Sequence, residues 1–251
     1  MRKVSACIVN YNDESTILKT LETLFACTKG VELSVTVSDN GSTDHSLERI
    51  EECFPQVRVI RNGKNLGFGA GNNVVLKELD SDYHVLVNPD IELSYDVLTE
   101  MANYMDAHPD VGILTPTVMN LDGSVQYLPK RIPRFKYLLG GRVSCLQHYR
   151  DEFTMANEDI REPVPIDFCT GCFMFLRTSV FQRVGGLDER YFLYFEDADL
   201  TREVQKYAKT IYHPDMVVYH KWHRESGKNL RYLLIHISSM FKYYWKWKGQ
   251  K

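Results

Sequence analysis

The sequence predicts an α/β protein with a mostly parallel central sheet and helices on both faces. Short β-branched runs alternate with segments of helical spacing through the first half of the chain, the order that parallel strands joined by crossover helices require. Turns rich in Asn, Asp and Gly follow those strands, where an open parallel sheet holds its ligands. Of 251 residues, 44% are hydrophobic and 25% charged. That balance supplies a core and excludes disordered, collagenous and low-complexity classes.

The elements follow in order. Residues 4–9 form the first expected strand, and Asn12 or Asp13 can cap a helix whose Ile17, Leu18, Leu21, Leu24 and Phe25 share one face. Residues 33–37 read as a second strand, 42–53 as a second helix and 57–60 as a third strand. A helix opens after Gly67 and runs to about Leu79, a fourth strand covers 83–87, and Ser94 opens a helix with Val97, Leu98, Met101, Tyr104 and Met105 on one side. Prolines at 129, 133, 163 and 165 interrupt the stretch 116–165, which is expected to be a long functional loop. A strand at 172–176, helices at 179–184 and 196–207, and strands at 210–212 and 216–219 complete the pattern.

A formal charge of -3 excludes whole-molecule electrostatic binding to nucleic acid. Met1, Arg2 and Lys3 lead into a short apolar strand that already reaches Asn10, so a secretory signal is not expected. The longest apolar stretches fall short of the roughly 20 residues that a membrane-spanning helix needs. Cysteines at 7, 27, 53, 145, 169 and 172 lack the spacing of a disulfide scaffold, and a reducing cytoplasm is expected. Cys169 and Cys172 have zinc-ligand spacing, but no second pair lies near in sequence to complete such a site.

The residues just after each strand carry the chemistry. Asn10, Tyr11 and Asn12 end the first, Asp39 opens the turn after the second, the run from Asn65 through Gly67, Gly69 and Gly71 to Asn72 follows the third, and Asn88 and Asp90 follow the fourth. All are expected to converge on one edge. Asp39 can accept a hydrogen bond from a base N–H or a ribose hydroxyl, or can simply cap its own turn. The glycine run can bring backbone N–H groups close to phosphate or sugar, or make a tight strand-to-helix turn. It misses the dinucleotide fingerprint, because Asn72 stands at the third glycine position. Asp90 is a hard oxygen ligand for a divalent cation, with His220 as a second ligand. Glu196, Asp197 and Asp199 cluster among aromatics at a helix start. Such surroundings raise a carboxylate's pKa toward a general base's range, and Asp197 is the chosen base. Asp199 is expected to do structural work with Arg202 a turn later.

Taken together, these motifs resemble the inverting glycosyltransferases of family 2, with the GT-A (Rossmann-like) three-layer sandwich, and within them the bacterial rhamnosyltransferases that use dTDP-L-rhamnose. The resemblance implies a catalytic domain over 1–228, with a nucleotide-binding half at 1–115 and an acceptor half at 116–228, followed by a C-terminal helix at 229–251. It assigns donor binding to Asn10, Tyr11, Asn12, Asp39, Asn65, Gly67, Asn72, Asn88 and Asp90, and acceptor binding to Gly171, Cys172 and Glu196. Mg2+ or Mn2+ is implied at Asp90 and His220. Asn88 departs from the family's Asp-x-Asp motif and removes one carboxylate. Asp90 and Asp197 are expected to frame a single cleft in which Asp197 deprotonates the acceptor.

The implied substrates are a nucleotide-sugar, dTDP-rhamnose or a UDP-sugar, and a saccharide or lipid-linked glycan. Rival readings are a UDP-hexose-dependent relative, a nucleotidyltransferase and a non-catalytic glycan-binding relative. The C-terminal segment keeps Leu230, Leu233, Leu234, Ile237, Met240, Phe241 and Tyr244 at helical spacing beside Arg231, Lys242, Lys246 and Lys248. It can lie on an anionic membrane surface, giving a peripheral location at the inner face of the cell membrane. Its alternatives are packing on the catalytic domain or in a homodimer.

Overall fold

The computed structural model describes residues 1–134, 136–137, 146–221 and 230–249. Cys145 and the expected boundary at 228–229 lie outside the described residues. The strands are β1 (Arg2–Asn10), β2 (Val31–Asp39), β3 (Arg58–Arg61), β4 (Tyr83–Val87), β5 (Ile91–Glu92), β6 (Val111–Met119), β7 (Val164–Pro165), β8 (Phe173–Arg177) and β9 (Lys209–His220). The helices are α1 (Ile17–Cys27), α2 (Ser46–Cys53), α3 (Phe68–Asn73), α4 (Val97–Ala107), α5 (Gln147–Thr154), α6 (Thr178–Val184), α7 (Glu196–Gln205) and α8 (Leu230–Lys246).

One sheet runs in the order β3-β2-β1-β4-β8-β6-β9-β5, with β7 also paired to β9. β1 to β4 are mutually parallel, β8 is antiparallel to both β4 and β6, and β6 is parallel to β9. β1 to β4, β6 and β9 therefore point one way, and β8 is a reversed strand at the centre. Every residue of β4 is buried and most of β8 is too, as expected where both faces are covered.

The structure corrects several expected elements. β6 was not anticipated, because Pro116 interrupts an otherwise apolar run; the register to β9 shifts between Pro116 and Thr117, where a residue without N–H costs no ladder bond. The same irregularity spans Pro214 and Asp215, so the two strands expected at 210–212 and 216–219 are one strand, β9. α2 starts at Ser46 instead of residue 42, since the Ser42 hydroxyl accepts from Asn10 Nδ2 and the Asn12 N–H, and Asp44 caps Ser46. α3 stops at Asn73, whose side chain clasps the N–H and carbonyl of Leu187 at 3.0 and 2.7 Å. The expected loop at 116–165 contains the end of β6, α5 and β7.

α8 is anchored by polar bonds. Asp199, 1% exposed, accepts from Lys246 Nζ at 2.6 Å and Trp247 Nε1 at 2.8 Å. Arg202 instead lies over the Trp247 ring, so the expected partnership of Asp199 with Arg202 gives way to one across the fold. Tyr243 and Trp247 pack with Phe168, Tyr191, Phe195 and Ala198 in a satellite cluster.

Candidate active site

Parallel pairing sets Asn10 opposite Asp39 at the carboxyl ends of β1 and β2. Asn10 Nδ2 donates to Asp39 Oδ1 at 3.0 Å, and Asp39 Oδ2 accepts from the N–H groups of Gly41 and Ser42 at 3.0 and 3.2 Å. Asn12 adopts a left-handed φ of 60° and accepts from the Thr43 N–H at 2.8 Å. Asn40 Nδ2 donates to the Gly67 carbonyl at 3.0 Å, and Asn65 Oδ1 accepts the Gly67 N–H at 2.9 Å. This network ties the first three strand-end turns together.

Above it opens a cleft of 620 Å³ whose walls include Tyr11, Asn12, Asn40, Asn65, Gly67, Asn88, Asp90, Phe192 and Tyr232. Asn10, Asp39 and Asn72 do not line it. Each is buried beneath, because its polar atoms hold the turns in place. Asn72 Nδ2 donates back to the Phe68 carbonyl within its own helix. The glycine run also behaves otherwise than as a bare phosphate cradle. The Gly67 N–H is engaged by Asn65 and the Phe68 N–H by the Phe192 carbonyl at 3.0 Å. At Gly67, with φ 86°, a Cβ would stand 2.1 Å from the Phe192 oxygen. Glycine there allows backbone to approach backbone.

Ile91 of β5 pairs with His220 of β9, which carries Asp90 Oδ1 to 3.1 Å from His220 Nε2. Gln126 fixes the ring. Its Nε2 donates to the His220 carbonyl and to Asn120 Oδ1, both at 2.7 Å, so its Oε1 faces His220 Nδ1 at 3.0 Å and can only accept. The Nδ1 atom therefore carries a proton, and Nε2 faces the Asp90 carboxylate. At that distance the pair holds a proton or a cation between its two atoms, and an imidazole oriented from its far nitrogen is the usual arrangement at a metal. The donor set fits a divalent ion. Among the described residues, no group of three or more His, Cys, Asp or Glu surrounds it.

Asp197 and Glu196 open α7, preceded by Tyr194 and Phe195, both at φ 70°. Consecutive bulky residues in left-handed conformation are strained, and such strain persists only where surrounding structure holds it. Asp197 accepts from the Gly171 N–H at 3.0 Å and the Ala198 N–H at 2.8 Å. Burial nevertheless pushes its carboxyl above the ordinary range. Glu196 is pushed up by burial and then by the charge of Asp197; of the two, Asp197 has the pair of backbone N–H donors that stabilise an anion. Glu196 Oε2 is buried and has no hydrogen-bond partner.

Asp197 stands beside the cleft that Asp90 lines. It lines an adjoining cavity of 250 Å³ with Glu196, Pro133, Arg134, Tyr137, Phe153, Phe168 and His236. Gly171 and Cys172 tie the two together: Gly171 holds Asp197, and the Cys172 carbonyl accepts from the Asn88 N–H at 2.9 Å. Burial, then Cys169, then Asp90 and Asp197 push the Cys172 thiol up, so both carboxylates act on one buried atom. Asp197 and the turn that carries Asp90 are thus brought to one two-residue segment, Gly171 and Cys172.

Gln126, Tyr232 and His236 were not singled out from sequence. Gln126 lies in an irregular segment with no motif, and Tyr232 and His236 sit on α8, where only its apolar spacing was legible. Asn40 was available, since it stands next to Asp39 in the same turn.

Comparison with known proteins gives this geometry its context. N-acetylglucosaminyl-diphospho-decaprenol L-rhamnosyltransferase of Mycobacterium tuberculosis is 30% identical over 227 residues, covering 83% of this chain and 73% of the relative. Rhamnosyltransferase WbbL of Escherichia coli is 27% identical over 248 residues, covering 94% of this chain and 90% of the relative. Among solved structures, GalNAc-T7 with UDP, GalNAc and Mn2+ superposes with a TM-score of 0.72 at 14% identity, over all of this chain and 49% of that one. S. aureus TarS 1-349 in complex with UDP superposes at 0.64 with 17% identity, over 95% of this chain and 65% of that one. This chain therefore spans less than two thirds of those solved relatives, which establish the fold. Residues 5–185 match Glycosyl transferase family 2. With that match over most of its length and rhamnosyltransferases among its relatives, the chain belongs to glycosyl transferase family 2 and is a glycosyltransferase of GT-A architecture.

Proposed function

We propose that this enzyme transfers L-rhamnose from dTDP-L-rhamnose to a lipid-linked saccharide, with inversion at the anomeric carbon, at the inner face of a membrane. The observation that carries the reading is the placement of Asp197, held by two backbone N–H groups next to Gly171 and Cys172, with Asp90 and His220 on the turn that the Cys172 carbonyl anchors. The names of the mycobacterial and E. coli relatives support the sugar, and the former supports a lipid diphosphate-linked acceptor.

In this reading the donor occupies the 620 Å³ cleft, built mainly from the nucleotide-binding half, 1–115, with the nucleotide against the turns that Asn10 and Asp39 hold. The acceptor occupies the aromatic 250 Å³ cavity. Asp197 takes the proton of the acceptor hydroxyl as that oxygen bonds to the anomeric carbon from the face opposite the leaving diphosphate. Glu196, whose Oε2 is buried without a hydrogen-bond partner, offers that atom to the acceptor. Mg2+ or Mn2+, which Asp90 and His220 would hold, would supply Lewis-acid stabilisation of charge on the departing diphosphate. The residues hold donor and acceptor in line and exclude water from the reacting carbon.

The test is a screen of dTDP-rhamnose against UDP-sugars. dTDP-rhamnose with Mn2+ is expected to give the largest thermal stabilisation, about 2.7 kcal/mol when present at a hundred times its Kd, and slow hydrolysis to the nucleoside diphosphate. Preference for a UDP-sugar would overturn the donor assignment, and release of pyrophosphate would indicate nucleotidyl transfer. For the metal site, Gln126→Leu should weaken Mn2+ binding by roughly 10- to 100-fold, read by calorimetry with the nucleoside diphosphate present. Unchanged affinity would remove Gln126 from the orientation of His220.

A further inference from the structure

α8 turns two different faces outward and inward. Tyr232 and His236 reach the two cavities, while Tyr243 and Trp247, 1% and 6% exposed, pack on the domain. On the opposite side Leu230, Leu234, Ile237, Phe241 and Trp245 are 71%, 59%, 37%, 61% and 80% exposed. Their spacing puts them in one stripe along the axis, because steps of three and four residues return to the same helix face. Single exposed apolar residues are ordinary on a protein surface, but an unbroken line of five large ones is not. Of the three expected fates of this helix, membrane surface, domain packing or a homodimer, the domain takes its aromatic and polar side, through Asp199 with Lys246 and Trp247 and through Ser239 with the Leu193 carbonyl.

Charge identifies the occupant. The chain carries -3 overall, yet residues 230–249 contain no Asp or Glu and include Arg231, Lys242, Lys246 and Lys248. Lys246 is taken up by Asp188, Asp199 and Glu203. By helical spacing Arg231 and Lys242 border the apolar stripe, with Lys242 Nζ donating to the Arg190 carbonyl at 2.6 Å, and Lys248, just past the end of α8, has its Nζ 5.7 Å from the Trp245 ring centre. Apolar residues along the middle, cations at the margin and an aromatic end are what an anionic lipid interface accepts. At 17 residues the helix is about 26 Å long, and among the described residues no helix is long and apolar enough to cross a membrane.

We propose that the outer face of α8 lies flat on an anionic lipid surface, with Leu234, Phe241 and Trp245 inserted among the acyl chains and Arg231, Lys242 and Lys248 at headgroup level. The helix then stands between lipid and enzyme, and Tyr232 and His236 on its inner face put both cavity walls within one helix diameter of the bilayer. This stands on the geometry of α8 and goes beyond the proposed reaction, so the two fail separately.

The experiment is co-sedimentation of the full chain with phosphatidylglycerol-containing vesicles and with pure phosphatidylcholine vesicles, alongside light scattering of the free protein. The wild type is expected to be monomeric and to sediment with the anionic vesicles. Phe241→Ser with Trp245→Ser should lower the bound fraction at least about tenfold, and Lys248→Glu alone should lower it severalfold and make what remains less sensitive to salt. Both variants should keep the wild-type Tm, because these side chains are solvent-exposed. Absence of sedimentation with anionic vesicles would overturn the proposal, as would equal binding by the variants. So would a wild-type dimer that the double substitution converts to monomer, which would assign the stripe to a second copy.

Discussion

Replacing Asp197 by Asn is expected to lower turnover by roughly two to four orders of magnitude while donor affinity stays within about twofold. The carboxamide keeps the size and one acceptor oxygen for the Gly171 N–H, at 3.0 Å in the native protein, but cannot take a proton from the attacking hydroxyl. Loss of donor binding would indicate a structural role, and undiminished turnover would remove Asp197 from the base position. The pH profile gives a second check. Burial raises the Asp197 carboxyl, so its anion, the active form, is present above the raised pKa and is lost as pH falls through it. The acidic limb of kcat/KM should therefore lie above the value of about 3.9 of a free aspartate, and should vanish in the Asn variant's residual activity. A limb at the ordinary aspartate value would contradict the buried environment of the pair.

Gly67→Ala is expected to destabilise the fold by about 2 to 5 kcal/mol, from an L-residue at positive φ and from overpacking, and to abolish donor binding. The glycine has φ 86°, and an added Cβ would meet the Phe192 carbonyl oxygen at 2.1 Å and its carbon at 2.9 Å. Both are backbone atoms, so neither can rotate aside. Displacement of residue 192 would pull on the strained Tyr194 and Phe195 that lead into Asp197. Urea unfolding and nucleotide titration measure the two effects. A variant with the native midpoint and native affinity would show that the Gly67 and Phe192 contact is dispensable. By contrast, a Cβ at Gly63 meets nothing within 4 Å, so Gly63→Asn should leave donor binding intact.

The strand-end motifs were legible because turn chemistry is local. Asn10, Asn12, Asp39 and Asn65 bond to neighbours brought together by one parallel register, and the residue types that satisfy such turns are few. β6 was hidden by Pro116, whose missing N–H is harmless only because the register to β9 shifts there. Asp199 and Lys246 are 47 positions apart, and no periodicity links them. The polar grip that orients α8, and so exposes its apolar stripe, was invisible for that reason.

By itself the sequence determined the α/β alternation and the residue types after each strand, since these depend on hydrophobic period and on backbone demands of a few adjacent residues, and the order of those strand-end motifs carried the family resemblance. Only the tertiary structure decided which of those residues face a cavity and which lie beneath it, that Asp197 and the turn carrying Asp90 meet at Gly171 and Cys172, and that Gln126 orients His220. Those outcomes depend on the approach of side chains distant in sequence. That approach is set by how the whole core packs, and no local pattern encodes it.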